Sequence, residues 1–181
     1  IDTGDDYSLS FDGSNDYVEI STTSVFEALV DELTIQAKFK VFTLPQDMSS
    51  IIAKRNFVGN PNGERHHFEL SVTSDGGIFF STMNNQNNDL YTSQTTTQSG
   101  LIQENVWYDV ALTFDNGSMK IYLDGVNVHS EDVGFRQMYP NNHWINFGIV
   151  HRSGGSAFFN AFNGLIDDVK IWNVEQSEIE I

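Results

Sequence analysis

Between Trp107 and Val128 the sequence leaves little choice of backbone. Tyr108, Val110, Leu112 and Phe114 alternate with Asp109, Ala111 and Thr113, the two-residue period of a strand with unlike faces. Asp115-Asn116-Gly117-Ser118 breaks the alternation, and Asn-Gly accepts the positive φ angles of a turn whose twist matches a hairpin. Met119, Ile121 and Leu123 then alternate with Lys120 and Tyr122, and Asp124-Gly125 turns the chain again into Val126 and Val128. This is the pattern of an antiparallel meander. Asn116-Gly117-Ser118 also fits a glycosylation sequon, but the turn alone accounts for it.

The same period recurs along the chain. Tyr7 to Phe11, Tyr17 to Ile20, Leu33 to Val41, Ser50 to Lys54, His67 to Val72, Ile78 to Thr82, Trp144 to Val150 and Gly164 to Trp172 all read as strands. Gly, Asn and Asp clusters separate them. Residues 24–30 offer one helical turn, and 175–181 look like the start of a helix. Residues 55–66 read as a polar loop. Residues 84–100 are rich in Asn, Gln, Thr and Ser, and fit either a long loop or a polar strand pair. Many short strands without β–α alternation predict an all-β fold of two packed antiparallel sheets.

With 181 residues, the chain fits one domain, 1–181, with room for a sizeable core. It opens on Ile1 without a signal-like segment, which fits a mature domain excised from a larger protein. No apolar run approaches the roughly 20 residues of a bilayer span. The formal net charge of −16 argues against nucleic acid and anionic membranes, whose phosphates need Lys and Arg. It suits a solvated acidic surface, or carboxylates held near a divalent cation. Cysteine is absent, which removes thiolate metal sites and Cys nucleophiles.

Four stretches, in order, carry a family likeness. They are Leu9-Ser-Phe-Asp-Gly-Ser-Asn-Asp-Tyr-Val-Glu-Ile20, Leu33-Thr-Ile-Gln-Ala-Lys-Phe-Lys40, Trp107 to Val128, and Asn163-Gly-Leu-Ile-Asp-Asp-Val-Lys-Ile-Trp-Asn173. The chain resembles laminin-G-like domains of the concanavalin-A-like lectin–glucanase superfamily. It departs at Lys38 or Phe39, where the family usually carries Trp. The resemblance implies a two-sheet antiparallel jelly-roll sandwich with adjacent termini, an extracellular or cell-surface setting, and a structural Ca²⁺. Fold does not fix function. The superfamily holds lectins, carbohydrate-binding modules, hydrolases, lyases and adhesion modules.

Asp12-Gly13-Ser14-Asn15-Asp16 offers two carboxylates and an amide oxygen in five residues, donors that suit Ca²⁺. By the resemblance the last strand passes beside the first, so Asp167 or Asp168 would complete the set. Asp167 alternates in step with Val169 and Ile171 and is expected to face the core, where a cation would offset a buried carboxylate. The competing reading makes Asp12 and Asp16 caps of backbone amides in an Asx turn.

Enzyme readings find little support. Hydrolases of this superfamily carry Glu-x-Asp-x-x-Glu on one strand, and Glu27, Asp31 and Glu32 are the nearest approach to it here. No Gly-x-Ser-x-Gly elbow occurs. Adjacent His66 and His67 would face opposite ways on a strand and could not easily share a metal.

Sugar binding needs an aromatic surface beside convergent polar groups. The loops supply these types at Arg65, His66, Tyr91, Tyr139, His143, Trp144, His151 and Arg152, whereas Trp107 and Trp172 read as framework. The expectation is a non-catalytic, monomeric, glycan-binding module of a multidomain chain. A protein-adhesion or spacer domain is the alternative, and a divergent polysaccharide lyase or hydrolase the next.

Overall fold

The computed structural model describes residues 7–57, 64–86, 89–140, 143–151 and 158–181. In chain order the elements are β1 (Leu9–Asp12), β2 (Val18–Ile20), α1 (Ser24–Glu27), β3 (Glu32–Val41), β4 (Met48–Phe57), β5 (Glu64–Thr73), β6 (Ile78–Gln86) and β7 (Asp89–Thr96). They continue with β8 (Trp107–Asp115), β9 (Ser118–Leu123), β10 (Val126–Asp132), β11 (Ile145–Phe147), β12 (Val150–His151), β13 (Phe158–Phe159) and β14 (Asn163–Trp172). Sheet A runs β1-β14-β3-β8-β9-β10 and sheet B runs β2-β11-β4-β5-β6-β7, with β12 and β13 paired separately. The described strand pairings are antiparallel, as a jelly-roll sandwich requires. β1 lies beside β14, so the two ends of the domain meet in one sheet.

Alternation decides which side chains fill the space between the sheets. Leu33, Ile35, Ala37, Phe39 and Val41 of β3 face inward beside Val110, Leu112 and Phe114 of β8. Ile52, Phe68, Leu70, Val72, Ile78 and Phe80 meet them from sheet B. Burying each of the larger ones stabilises by about 1.5–3 kcal/mol relative to exposure. Phe39 stacks on Tyr108 with centroids 5.8 Å apart and meets Phe162 edge-on at 6.4 Å.

The opening hairpin forms as its residues require. Asn116 and Gly117 adopt φ of 46° and 109°, and a Cβ on Gly117 would overlap the Gly134 carbonyl. The polar stretch after Thr82 is a strand pair, from Phe79↔Thr96 to Gln86↔Asp89. It lacks apolar alternation because the inward positions of this edge carry hydroxyls. Ser93, Thr95 and Thr97 are buried. Thr97 Oγ1 accepts the Ile78 amide at 2.9 Å, and Thr95 Oγ1 meets His129 Nε2 at 2.5 Å.

The loop expected over 55–66 is shorter than its polarity suggested, since β4 continues to Phe57 and β5 begins at Glu64. The C-terminal tail is no helix. It crosses the outer face of sheet A, where Thr34 Oγ1 donates to the Val174 carbonyl at 2.7 Å and Gln36 Nε2 to that of Ile181 at 3.1 Å.

Candidate functional site

The outer face of sheet B carries a row of polar side chains. Asn146 pairs with Ala53, Ala53 with Glu69, Glu69 with Ser81, and Ser81 with Gln94. Phe68 and Leu70 point into the core, so Glu69 points out, yet it is fully buried. Arg55 pairs with it in a salt bridge, the Arg55 side chain being 13% exposed. Ser71 Oγ donates to Glu69 Oε1 at 2.9 Å and Asn160 Nδ2 to the same atom at 3.1 Å. Asn160 follows β13 and holds φ of 55°, and its carbonyl accepts the Ser50 amide at 2.7 Å. β12 packs against β4 with Val150 buried. Asn160 and β12 thus cover an ion pair that an open sheet would leave in water. Ahead of β12, Gly148 sits so close to Phe11 that a Cβ would overlap the ring.

Two bulges in the β4–β5 pairing set the neighbouring side chains. One falls between Ser50 and Ile52, the other between Lys54 and Arg55, where the extra residue on β5 is His67. His67 is turned inside, and its Nε2–H donates to the Leu29 carbonyl behind α1. Burial pushes its pKa down to about 4, against the Leu29 hydrogen bond, and the Lys54 charge lowers it further. Lys54 pairs with Phe68 and points inward, with no exposed surface. Its Nζ donates to the His143 carbonyl at 2.9 Å. Burial lowers its pKa to about 8 despite the nearby Glu27 carboxylate.

Residues 133–140 run from the β8–β9 turn of sheet A to Met83 of sheet B, and His143 and Trp144 lead into β11. Arg136 N donates to Asn116, Met138 N to Val30 at 2.7 Å, and Tyr139 N to Met83 at 2.7 Å. Trp144 stands two residues before Asn146, the partner of Ala53, and so lies level with Arg55. It is 50% exposed. Tyr139 and His143 are half-buried.

The backbones of Arg65 and His66 lie at the start of β5, opposite Asn56 and Arg55, and that of Tyr91 lies in β7 opposite Asn84. That of His151 lies in β12. The side chains of these four residues, and all of Arg152, fall outside the described residues. The backbones of His66 and Tyr91 thus lie roughly level with Trp144, but spread across sheet B from β11 to the edge strand β7. Arg55, Glu69, Asn160 and Lys54 were not among the expected residues. The available signal was a lone acid, Glu69, inside an alternating strand, with the basic pair Lys54-Arg55 in the preceding strand.

The acidic set expected to hold Ca²⁺ does not converge. Asp12 pairs with Asn163, whereas Asp167 lies four residues further along β14, beyond Ile166, which pairs with Leu9. At about 3.3 Å per residue this separates them by roughly 13 Å. A bulge between Asp167 and Lys170, with Asp168 at φ of 47°, resets the alternation. Ile166 faces the core, so Asp167 faces outward beside Lys38. The expectation of an inward Asp167 assumed an unbroken strand. Asp168 pairs with Lys38 at 2.9 Å, and that hydrogen bond lowers its pKa. Asp12 and Asp16 cap amides: Asp12 accepts Ser14 N at 2.8 Å and Asp16 accepts Asp12 N at 3.1 Å. Asn15 lies in the exposed turn. Among the described residues no group of three or more His, Asp or Glu side chains could hold a metal.

Sheet A's outer face has two adjacent depressions of about 470 and 480 Å³ that share Lys38, Asp109 and Asp124. Trp107 lines the first and is 42% exposed, so it is not the core framework its position suggested. Lys40 Nζ lies 5.1 Å from its ring. The polar groups here satisfy one another, as when Asp124 accepts the Asp109 amide at 2.9 Å.

Solved structures share this fold at low identity. The CBM40 domain of a Ruminococcus gnavus IT-sialidase, bound to α2,3 sialyllactose, is 21% identical with a TM-score of 0.68, covering 92% of this chain and 94% of that one. A leech intramolecular trans-sialidase is 22% identical with a TM-score of 0.67 over 92% of this chain and 26% of its own. A heptameric SAP-like pentraxin from Limulus polyphemus is 19% identical with a TM-score of 0.62 over 94% and 77%. No curated protein matches the chain in sequence. Residues 12–181 match the laminin-G-type profile of the concanavalin A-like lectin/glucanases superfamily, and the chain belongs to that family.

Proposed function

We propose that this domain is a non-catalytic glycan-binding module whose site is the Trp144 end of sheet B's outer face. The observation that carries this reading is a half-exposed indole level with a sealed Arg55–Glu69 ion pair on one sheet face. An indole stacks on the apolar face of a sugar ring, and a polar group beside it, here the 13% exposed edge of Arg55 that Glu69 holds in place, meets the hydroxyl rim. Glu69 is held by Arg55, Ser71 and Asn160 and so serves as structure rather than as an acid in turnover. Glycoside hydrolysis needs a second carboxyl group beside the first, and the described cluster has one. The sialyllactose bound by the Ruminococcus gnavus CBM40 supports sialylated sugars as the first ligands to try. A place in a larger extracellular or cell-surface protein belongs to the same reading. Calcium does not, because Asp12 lies level with the start of β14 and Asp167 four residues further along it.

The test is a glycan array followed by calorimetric titration with α2,3-sialyllactose and lactose. Saturable binding of a glycan, abolished by Trp144→Ala, is expected. Retention of no glycan by the intact domain would sink the proposal.

A further inference from the structure

We infer that Lys54 is a positioning residue for the Trp144 wall, holding the backbone that carries the indole rather than holding the fold together. The inference rests on the glycan-site reading above for its consequence, but not for its geometry. Lys54 occupies a core-facing position, paired with Phe68, at which an apolar side chain would be the ordinary choice. Its Nζ reaches the carbonyl of His143, the residue immediately before Trp144, at 2.9 Å.

Among the described residues, backbone bonds also hold this stretch upstream, at Arg136, Met138 and Tyr139. The next strand bond is that of β11, at Ile145. Lys54 thus ties the residue immediately before the indole. Arg55, its neighbour on β4, points to the opposite face and holds Glu69. One dipeptide therefore fixes both the aromatic wall and the charged floor.

A buried amine is a costly way to make a core. Burial holds it well below its ordinary value even beside the Glu27 carboxylate, so the charge is carried here at a desolvation cost that an apolar side chain would not have. Lys54→Met removes the desolvation cost and leaves the His143 carbonyl short of a donor, two effects of opposite sign. A residue kept for stability alone would not be a lysine here. A residue kept to pull one carbonyl inward would be.

The experiment uses 5-fluorotryptophan-labelled protein, whose three tryptophans give three fluorine resonances assigned by single Trp→Phe variants. In Lys54→Met the Trp144 resonance is expected to shift and broaden while those of Trp107 and Trp172 stay in place. The Kd for α2,3-sialyllactose is expected to rise by about tenfold or more as the site loosens. The melting temperature is expected to stay within about 4 °C of the parent or to rise.

An unchanged Trp144 resonance with unchanged affinity overturns the inference. So does a fall in melting temperature of more than about 10 °C, because Lys54 would then be a support of the whole fold. If the parent domain binds no sialyllactose, the glycan reading has failed on its own terms. The fluorine spectrum still decides what Lys54 holds.

Discussion

Four of the chain's five lysines stand on the outer face of sheet A, and the fifth, Lys54, is buried in sheet B. The contrast extends to the acids. On sheet A, Lys38 meets Asp168 and Lys120 meets Glu175, with each partner partly or largely open to water. On sheet B, Glu69 meets Arg55 with almost no access to water. The first kind of pair is screened and exchanges easily with solvent. The second kind must be made complete or it destabilises the fold. Sheet A's outer face is thus a solvated surface whose charges cancel locally. Sheet B's outer face has had its charges closed in by Asn160 and β12, an arrangement with no value for solubility.

The strongest way to break this comparison is Glu69→Ala. It removes the carboxylate that faces the Arg55 guanidinium beneath Asn160 and β12, and loss of one partner of a buried pair costs about 3–5 kcal/mol. Urea unfolding at neutral pH measures it. A loss below about 1 kcal/mol would mean that water reaches Arg55 and that the two faces are alike after all.

The titration of His67 comes next. Its folded pKa of about 4 lies below the ordinary 6.5, so between those values the unfolded chain binds the extra proton. Stability therefore rises with pH from about 4 to 6.5, by on the order of 3 kcal/mol over the window. His67→Leu should flatten that part of the curve. Lys54 adds a second rise between about 8 and 10.5, since its amine too is penalised when charged. Sheet A offers only a weak acid-side effect. Asp168 has a lowered pKa and loses its pairing with Lys38 as pH falls, but both groups are about half exposed and the effect is small. A parent protein and a His67→Leu variant with the same slope from pH 4 to 6.5 would refute the assignment.

Much of this contrast was invisible in the sequence, for physical reasons. The hairpin at Asn116-Gly117 was legible because turn chemistry and alternation agree there. The sandwich followed from many such segments. Alternation, however, says which face a residue takes only while the strand is unbroken. The bulge at Asp168 turned Asp167 outward, and the bulge at His67 turned that histidine inward. Nor does alternation say what covers an outer face. Glu69 reads as a solvated acid until Asn160, 91 residues away, is seen to reach it. Trp107 reads as framework because it sits in a strand of the family likeness, yet it lies on the open side of β8.

The two exposed indoles give the comparison its functional test. Trp144 and Trp107 are similarly accessible, one on each face. If sheet B is the glycan face, Trp144→Ala weakens the best array ligand by roughly 2 kcal/mol, about thirtyfold in Kd. Trp107→Ala leaves that affinity unchanged, since its ring is already covered on one side by Lys40. Calorimetry on both variants decides. The reverse ranking would move the site to the groove between Lys38 and Asp124.

The smallest effect concerns the tail. Glu175 accepts from Lys120 at 2.8 Å and from Thr113 at 3.1 Å, tying residues after β14 to the face of sheet A. The pairing raises the Lys120 pKa, mainly through the Glu175 hydrogen bond. Side-chain exposures of 35% and 24% leave the pair open to screening. Glu175→Ala should therefore cost less than about 1 kcal/mol. The loss should shrink further in about 1 M salt, where the screening length is about 3 Å. Parallel urea titrations at low and high salt measure both quantities. A salt-independent loss above about 2 kcal/mol would show the tail acting as a strap that sheet A needs, and the outer faces would then share the same dependence on a covering segment.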